Sequence, residues 1–463
     1  MERSPFDYPS VLKIFTTAQD PDYDVPWQTA APYNSSGSGV LIGPNRILTA
    51  AHVVANQTFL QVQKTREPDK EVARVTAICH EADLALIECE DPAFLEGVEP
   101  AEIGNLPRLR DKVTVVGFPI GGEEISMTEG VVSRVEAQHY THSQRKLLAV
   151  TVDAAINSGN SGGPVFRAGK VIGIAFQSRT DGENIGEIVP TPIIRHFLRG
   201  VERGGYEGFP GLGIVGQSLE NRHLRKRWKM NAKQSGILIN GIYYGNTCWG
   251  VLQPGDVLLE IMGKRIANNG TVEYAERYRT ALETVLHEQM VGDVVSIKVL
   301  REGEELDLDV TLKPLRYLVP RSEYDIEPRY YVFGGLVFQP LSRNYLDTWN
   351  KWREKAPREF VEAYYYGMPT EGRHEVVVIT QVLADELMIG YEDCYDESVA
   401  AIDGVAPRDL KHAVELLSRE NGTYLEIRTS HDNLLVFDRH EVRQAEERIR
   451  KRYKIVHRQS STL

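Results

Sequence analysis

The sequence predicts a mainly β protein: a sandwich or pair of β-barrels first, then two small α+β modules. Three observations carry this. Between about residues 10 and 200, short Val-, Ile- and Leu-rich runs recur, separated by Gly, Pro, Asn or Asp. From about 210 to 316, and again from about 330 to 438, strands and helices mix in a similar order, the mark of a divergent repeat. And 463 residues are too many for one core. The expected domains are residues 10–203, 210–316 and 330–439, with a helix and tail over 440–463.

In chain order, "SGVLIG", "RILTAAHVV", "TFLQVQK", "DLALIEC", "KVTVVGF", "GVVSRVEA", "LLAVTVDA" and "VIGIAFQ" each read as strands. "TPIIRHFLRGVER" (191–203) reads as a helix stopped by Gly204 and Gly205. "GGYEGFPG" (204–211) and "LVPRSEYDIEPR" (318–329) read as linkers. Helices are expected over 276–286 and 409–420. In the tail, Val442, Ala445, Ile449 and Tyr453 fall at helical spacing.

Composition narrows the function classes. A net charge of −12 argues against a nucleic-acid partner, which wants a basic face. Two basic clusters, "RKRWK" (225–229) and "RIRKRYK" (448–454), read first as solvated helix faces. No run approaches the length of a membrane span. No charged and apolar leader opens the sequence, so the expectation is a cytoplasmic protein, with a trimmed periplasmic or secreted form as the alternative. Cys79, Cys89, Cys248 and Cys394 lack zinc-ligand spacing and read as reduced core thiols, with one Cys79–Cys89 bridge left open.

"AAINSGNSGGPVF" (154–166) raises the chemical question. A serine hydroxyl is a poor nucleophile without a base, a group that orients the base, and donors for the developing oxyanion. "LTAAHVV" supplies His52, "EADLALIE" supplies Asp83, and "GNSGGP" supplies Ser161. Gly159 lets the backbone turn so that its own N–H and that of Ser161 can converge on one spot. Gly162 and Gly163 permit close backbone approach, and Pro164 stiffens the exit. Asp111 and Asp153 are rival acids. Asp153 is too near Ser161 along the chain, and Asp111 falls at the expected junction between barrels. The order His, Asp, Ser is that of the chymotrypsin-like arrangement. No P-loop or HExxH motif appears, and this chemistry needs no metal or other cofactor.

"TAAH", "DLAL" and "GNSGGP", in this order and spacing, resemble the HtrA/Deg family of serine proteases. The resemblance implies a chymotrypsin/trypsin-like double β-barrel with the catalytic residues in the cleft. "FPGLGIVGQSL" (209–219) and "LQPGDVLLEIMGKRI" (252–266) resemble a PDZ domain, which implies a carboxylate-binding loop at Gly211, Leu212, Gly213 and Ile214. "FGGLVFQPL" (333–341) and "VAAIDGVAPRDLKHAVELL" (399–417) resemble a second, divergent one, with Gly334, Gly335, Leu336 and Val337 as its loop. "TVVGFPIGGEEISMTEGVVSR", "NIGEIVPTPIIRHFL" and "VPWQ" are similar to the plant-type Deg branch.

That resemblance implies an ATP-independent endopeptidase acting on unfolded or damaged proteins. It also implies trimers or multiples of trimers, and C-terminal or extended peptides as PDZ ligands. By the trypsin-like pattern Ala155 forms the base of the specificity pocket, and "IAFQS", with Ala175, Phe176 and Gln177, forms its wall. No acid stands at the base, so cleavage after small or medium apolar residues is expected. The alternatives are a chaperone or scaffold with a resting protease domain, and a narrow processing protease. The tail "QSSTL" has the form of a PDZ ligand, a pattern common by chance, so self-docking is a minor reading.

Overall fold

The computed structural model describes residues 8–119, 124–156, 159–178 and 185–463. Its first two hundred residues form two closed six-stranded antiparallel barrels. The first joins β1 (Val11–Ala18), β2 (Tyr33–Gly43), β3 (Arg46–Thr49), β6 (Leu84–Cys89), β5 (Lys70–Cys79) and β4 (Gln57–Lys64), in that order around the barrel. The second joins β10 (Pro164–Arg167), β11 (Lys170–Ser178), β12 (Ile185–Pro190), β9 (Lys146–Asp153), β8 (Ser126–His139) and β7 (Lys112–Gly117). Closure removes the sheet edges that an open β layer would expose. One apolar cluster, from Val11 through Leu86 to Phe197, fills both barrels.

Contacts divide the chain into two units that do not follow chain order. Residues 1–18 and 32–315 form one, and residues 19–31 and 316–463 the other. Within the first unit, the helix expected at 191–203 is α2 (Thr191–Glu202). It buries Ile193, Ile194, His196 and Phe197 and stops before Gly204, whose φ of 92° suits glycine. The expected linker 204–211 is not loose. Phe209 is fully buried and stacks on His196 with ring centroids 4.1 Å apart.

The first small module is a sheet in the order Ile214–Ser218, Ile237–Ile242, Val257–Ile261, Val294–Arg301, Glu304–Thr311. The helix expected at 276–286 is absent. A hairpin, Thr271–Tyr274 with Tyr278–Ala281, and a 3-10 turn over Leu282–Glu288 stand there. Tyr278, Thr280 and Leu282 are buried while Arg279 between them is exposed, a period of two and not 3.6. Tyr274 and Tyr278 pack into the barrel core, and the Tyr278 hydroxyl donates to the Pro107 carbonyl at 3.0 Å.

In the second unit the sheet runs Tyr331–Phe333, Leu336–Pro340, Val377–Val382, Glu397–Ile402, Tyr424–Thr429, Leu434–Asp438. A helical insertion between its second and third strands has its own core of Leu346, Trp352, Phe360 and Tyr364. Leu318 and Val319 of the second expected linker are buried in that core. Residues 19–31 belong here too, with the Gln339 amide donating to the Tyr23 carbonyl at 3.0 Å. The expected helix at 409–420 spans Leu410–Leu417. The tail helix spans Arg439–Tyr453 and buries Val442, Ala445 and Ile449. The chain then runs back along Tyr331–Phe333, with Val332 N–H donating to the Arg458 carbonyl at 2.7 Å and Leu463 packed on the module's core.

The basic clusters divide. Arg222–Arg227 is a short helix with no buried residue. In the second cluster Arg448 and Arg452 both bond Asp385, whose side chain is fully buried. All four cysteines are free, and Cys79 and Cys89 lie at opposite ends of the β5–β6 pair, opposite Leu84 and Ala73. Among the described residues no helix is long and apolar enough to cross a membrane.

Candidate active site

His52 does not end a strand. β3 stops at Thr49, and a single helical turn, α1 (Ala51–Val54), follows. Ala51, Val53 and Val54 are buried, and the Val53 carbonyl accepts from the Thr16 hydroxyl at 2.7 Å. The turn is thereby anchored on both sides of His52, whose side chain keeps 31% of its surface exposed.

Asp83, expected to open a strand, lies in the turn between β5 and β6, one residue before β6 begins. Its φ of 54° is a left-handed value that Asp tolerates better than most residues. Buried Ala82 and Leu84 flank it, and its side chain is 1% exposed. One carboxylate oxygen accepts from the His52 backbone N–H at 2.8 Å, and the other meets His52 Nδ1 at 2.7 Å. A carboxylate only accepts, so the neutral imidazole carries its proton on Nδ1 and leaves Nε2 free to act as a base.

The charges reinforce one another. Burial alone would raise the Asp83 pKa, but the charges of His52 and His142 and the His52 hydrogen bonds pull it down to about 2. Burial disfavours imidazolium at His52, but the Asp83 charge and hydrogen bond outweigh it and hold the pKa above the ordinary value.

Ser161 sits in a turn pressed between the barrels. Gly159 and Gly162 have φ of 99° and 79°. The Ser161 carbonyl accepts from Ser38 N–H at 2.9 Å. Gly162 N–H donates to the Ala175 carbonyl at 2.8 Å, and Ala175 N–H to the Gly163 carbonyl at 2.9 Å. A Cβ on Gly162 would lie 2.3 Å from both the Ser38 carbonyl oxygen and Thr49 Oγ1. Thr49 ends the strand that leads to His52. A Cβ on Gly37 would meet both Val53 and the Ser161 carbonyl. Two glycines thus let the Ser161 turn close on the element that carries His52.

Sequence reading missed Ser38. It is fully buried, its hydroxyl donates to the Gly159 carbonyl at 2.8 Å, and that hydroxyl accepts from Phe118 N–H at 2.8 Å. One side chain of the first barrel so ties the 159–163 turn to the second. The available signal was a serine inside an apolar strand, in "SGSGVLIG". The rival acids lie elsewhere: Asp111 pairs with Arg167 at 2.7 Å, and Asp153 is exposed at the end of β9.

Of the expected pocket residues, Ala155 is half-buried and its carbonyl accepts from Thr128 Oγ1 at 3.1 Å. Ala175 and Phe176 are buried, Phe176 against Tyr140 with centroids 4.4 Å apart. The Gln177 side chain accepts from Thr141 N–H at 2.8 Å and donates to Glu187. β11 pairs with β12 as far as Ser178, but its register with β10 ends at Ile174, so on that side no described strand claims Phe176–Ser178.

At the first expected carboxylate loop the Leu212 and Gly213 carbonyls accept from Cys248 and Tyr243 N–H. The strand that begins at Ile214 is an edge strand, and a groove of about 410 Å³ runs beside it, lined on the barrel side by Ala137 and Lys146. At the second, Gly334 and Gly335 make a tight hairpin turn. The strand containing Leu336 and Val337 is paired on both edges. No cluster of three or more metal-ligating side chains occurs among the described residues.

Residues 37–174 match the family of trypsin-like peptidase domains, and residues 319–462 match PDZ domains. Over 409 residues the chain is 39% identical to "Protease Do-like 4, mitochondrial" of Arabidopsis thaliana, covering 88% of this chain and 76% of that protein. It is 36% identical to "Protease Do-like 2, chloroplastic" of the same plant, covering 98% and 75%. Among solved structures, "HtrA-type protease AlgW with tripeptide" aligns with a TM-score of 0.52 at 25% identity, over 66% of this chain and 95% of that one.

Proposed function

Because the chain belongs to the Do-like, or HtrA/Deg, family and is a serine endopeptidase, we propose that His52, Asp83 and Ser161 carry its reaction. The observation behind this assignment is the doubly bonded Asp83–His52 pair, with the Ser161 turn seated against the same helical turn. Ser161 Oγ attacks the scissile carbonyl as His52 Nε2 takes its proton. Asp83 keeps the imidazole in its tautomer and stabilises the imidazolium. Gly159 and Ser161 N–H groups bind the oxyanion. His52 then protonates the leaving amine, and water repeats the sequence on the acyl-enzyme.

Substrates are unfolded or damaged polypeptides bound as an added strand beside Phe176–Ser178 and cut after small or medium apolar residues. The open edge of the first PDZ module supports peptide binding there. The two paired edges in the second favour a role in assembly, in keeping with a homo-oligomer. Casein cleavage by the wild type beside Ser161→Ala tests the assignment. Loss of the nucleophile should lower the rate about a millionfold, and residual cleavage near the wild-type rate would refute it. Chromogenic peptides with Val, Ala or Leu against Arg at the cleaved position test the specificity; preference for Arg refutes that part.

A further inference from the structure

We propose that His142, paired with His80, is a positioning residue of the proteolytic reaction, a second ionisable centre that shares the field of Asp83 with His52 and sets the pH at which His52 becomes a free base. This rests on the reading of His52 and Asp83 as the catalytic base and its partner.

The geometry is specific. His80 opens the turn that ends at Asp83, in the first barrel, and His142 lies in the turn between β8 and β9, in the second. His80 Nδ1 and His142 Nε2 are 3.0 Å apart, a hydrogen bond between imidazoles. The His142 ring centroid is 6.2 Å from that of His52. Two further contacts join the same turns. The Ser143 hydroxyl donates to the Glu81 carbonyl at 2.8 Å, and Arg145 Nε lies 3.8 Å from a Glu81 carboxylate oxygen. The turn that presents the catalytic acid is therefore held from across the cleft.

An N–H···N bond needs one donor and one acceptor. The neutral pair satisfies this with a single shared hydrogen. Adding one proton keeps the bond as N–H⁺···N. Adding a second sets two donors face to face and breaks it. The bond thus survives one added proton and is lost with two. The charged and titratable neighbours are Asp83 and Glu81, which favour that proton, and Arg145 and the His52 imidazolium, which oppose it; Tyr140 and Cys79 are buried nearby. A proton on the pair disfavours imidazolium at His52 and keeps the base available at lower pH than Asp83 alone would allow. Asp83 holds His52 in place, and the pair limits how strongly it holds the proton.

The test is the pH profile of kcat/KM for peptide hydrolysis by the full chain, for wild type, His142→Gln and His142→Lys, with thermal melts to confirm folding. Like charges 6.2 Å apart in a half-exposed cleft shift each other by about half to one pH unit. The acid limb of His142→Gln should move up by that amount and sharpen to a single ionisation, and that of His142→Lys should lie below the Gln limb. Should His142→Gln fail to fold, His80→Gln carries the test and must move the limb upward by a smaller step. Acid limbs that coincide with the wild type in whichever variants fold would overturn the proposal, even if kcat falls. Because the readout is a shift in an active enzyme, its failure is distinct from failure of the triad, which Ser161→Ala reports.

Discussion

His196 on α2 and His287 in the Leu282–Glu288 turn, both buried, should make the contact between the barrels and the first small module sensitive to acid. His196 on α2 is fully buried, and His287 in the Leu282–Glu288 turn is 3% exposed. Burial pushes the His196 pKa down to about 4, with the Gly208 and His287 backbone offsetting only part. Burial, then the Arg145 and His196 charges, push His287 down to about 3. A histidine whose folded pKa lies below its unfolded value of 6.5 binds its proton when the structure opens. Stability is therefore fully present above pH 6.5 and lost as pH falls toward the folded pKa. At pH 5 each group contributes a loss of about 2 kcal/mol, and the two together about 4 kcal/mol. His52 has the opposite sign, since its raised pKa stabilises at low pH, so the comparison must be between variants. Urea unfolding at pH 8, 6 and 5 should show His196→Phe, which keeps the stack on Phe209, losing about 2 kcal/mol less than wild type by pH 5. Hydrogen exchange in 191–202 and 282–288 should accelerate at pH 5 in the wild type more than in the variant. Parallel stability curves would refute the assignment of the acid lability to these rings.

Asp83→Asn keeps the size but places an amide donor against Nδ1, which favours the wrong tautomer; kcat should fall about ten-thousandfold with the melt little changed. Gly162→Ala forces a Cβ to within 2.3 Å of the Ser38 carbonyl oxygen and Thr49 Oγ1 at a φ of 79°, so active-site labelling should be lost and the melt lowered. Ser38→Ala frees the Gly159 carbonyl and Phe118 N–H; kcat should drop about tenfold to a hundredfold with KM held, as steady-state kinetics would show.

The legible parts of the fold and site share a physical property: they depend on residues close in sequence. "GNSGGP" announces a turn with left-handed glycines because only glycine adopts them cheaply, and Gly159 and Gly162 do so. The tail helix follows from spacing alone, since Val442, Ala445 and Ile449 need only one face to pack against. The segment 276–286 defeats the same logic. Its residues include good helix formers, yet Tyr278 and Thr280 are drawn to a barrel that lies far away in sequence while Leu282 turns into the module's own core, and tertiary burial overrides propensity. Phe209 reads as a linker residue for the same reason, because the His196 ring that buries it is invisible in "GGYEGFPG". His142 is the strongest case. Nothing in "QHYTHSQ" distinguishes it from an ordinary turn histidine, and His80 is 62 residues away. Only closure of both barrels brings two turns together beside Asp83. A His–Asp pair legible in the sequence can therefore stand beside a third ionisable group that only the fold places there.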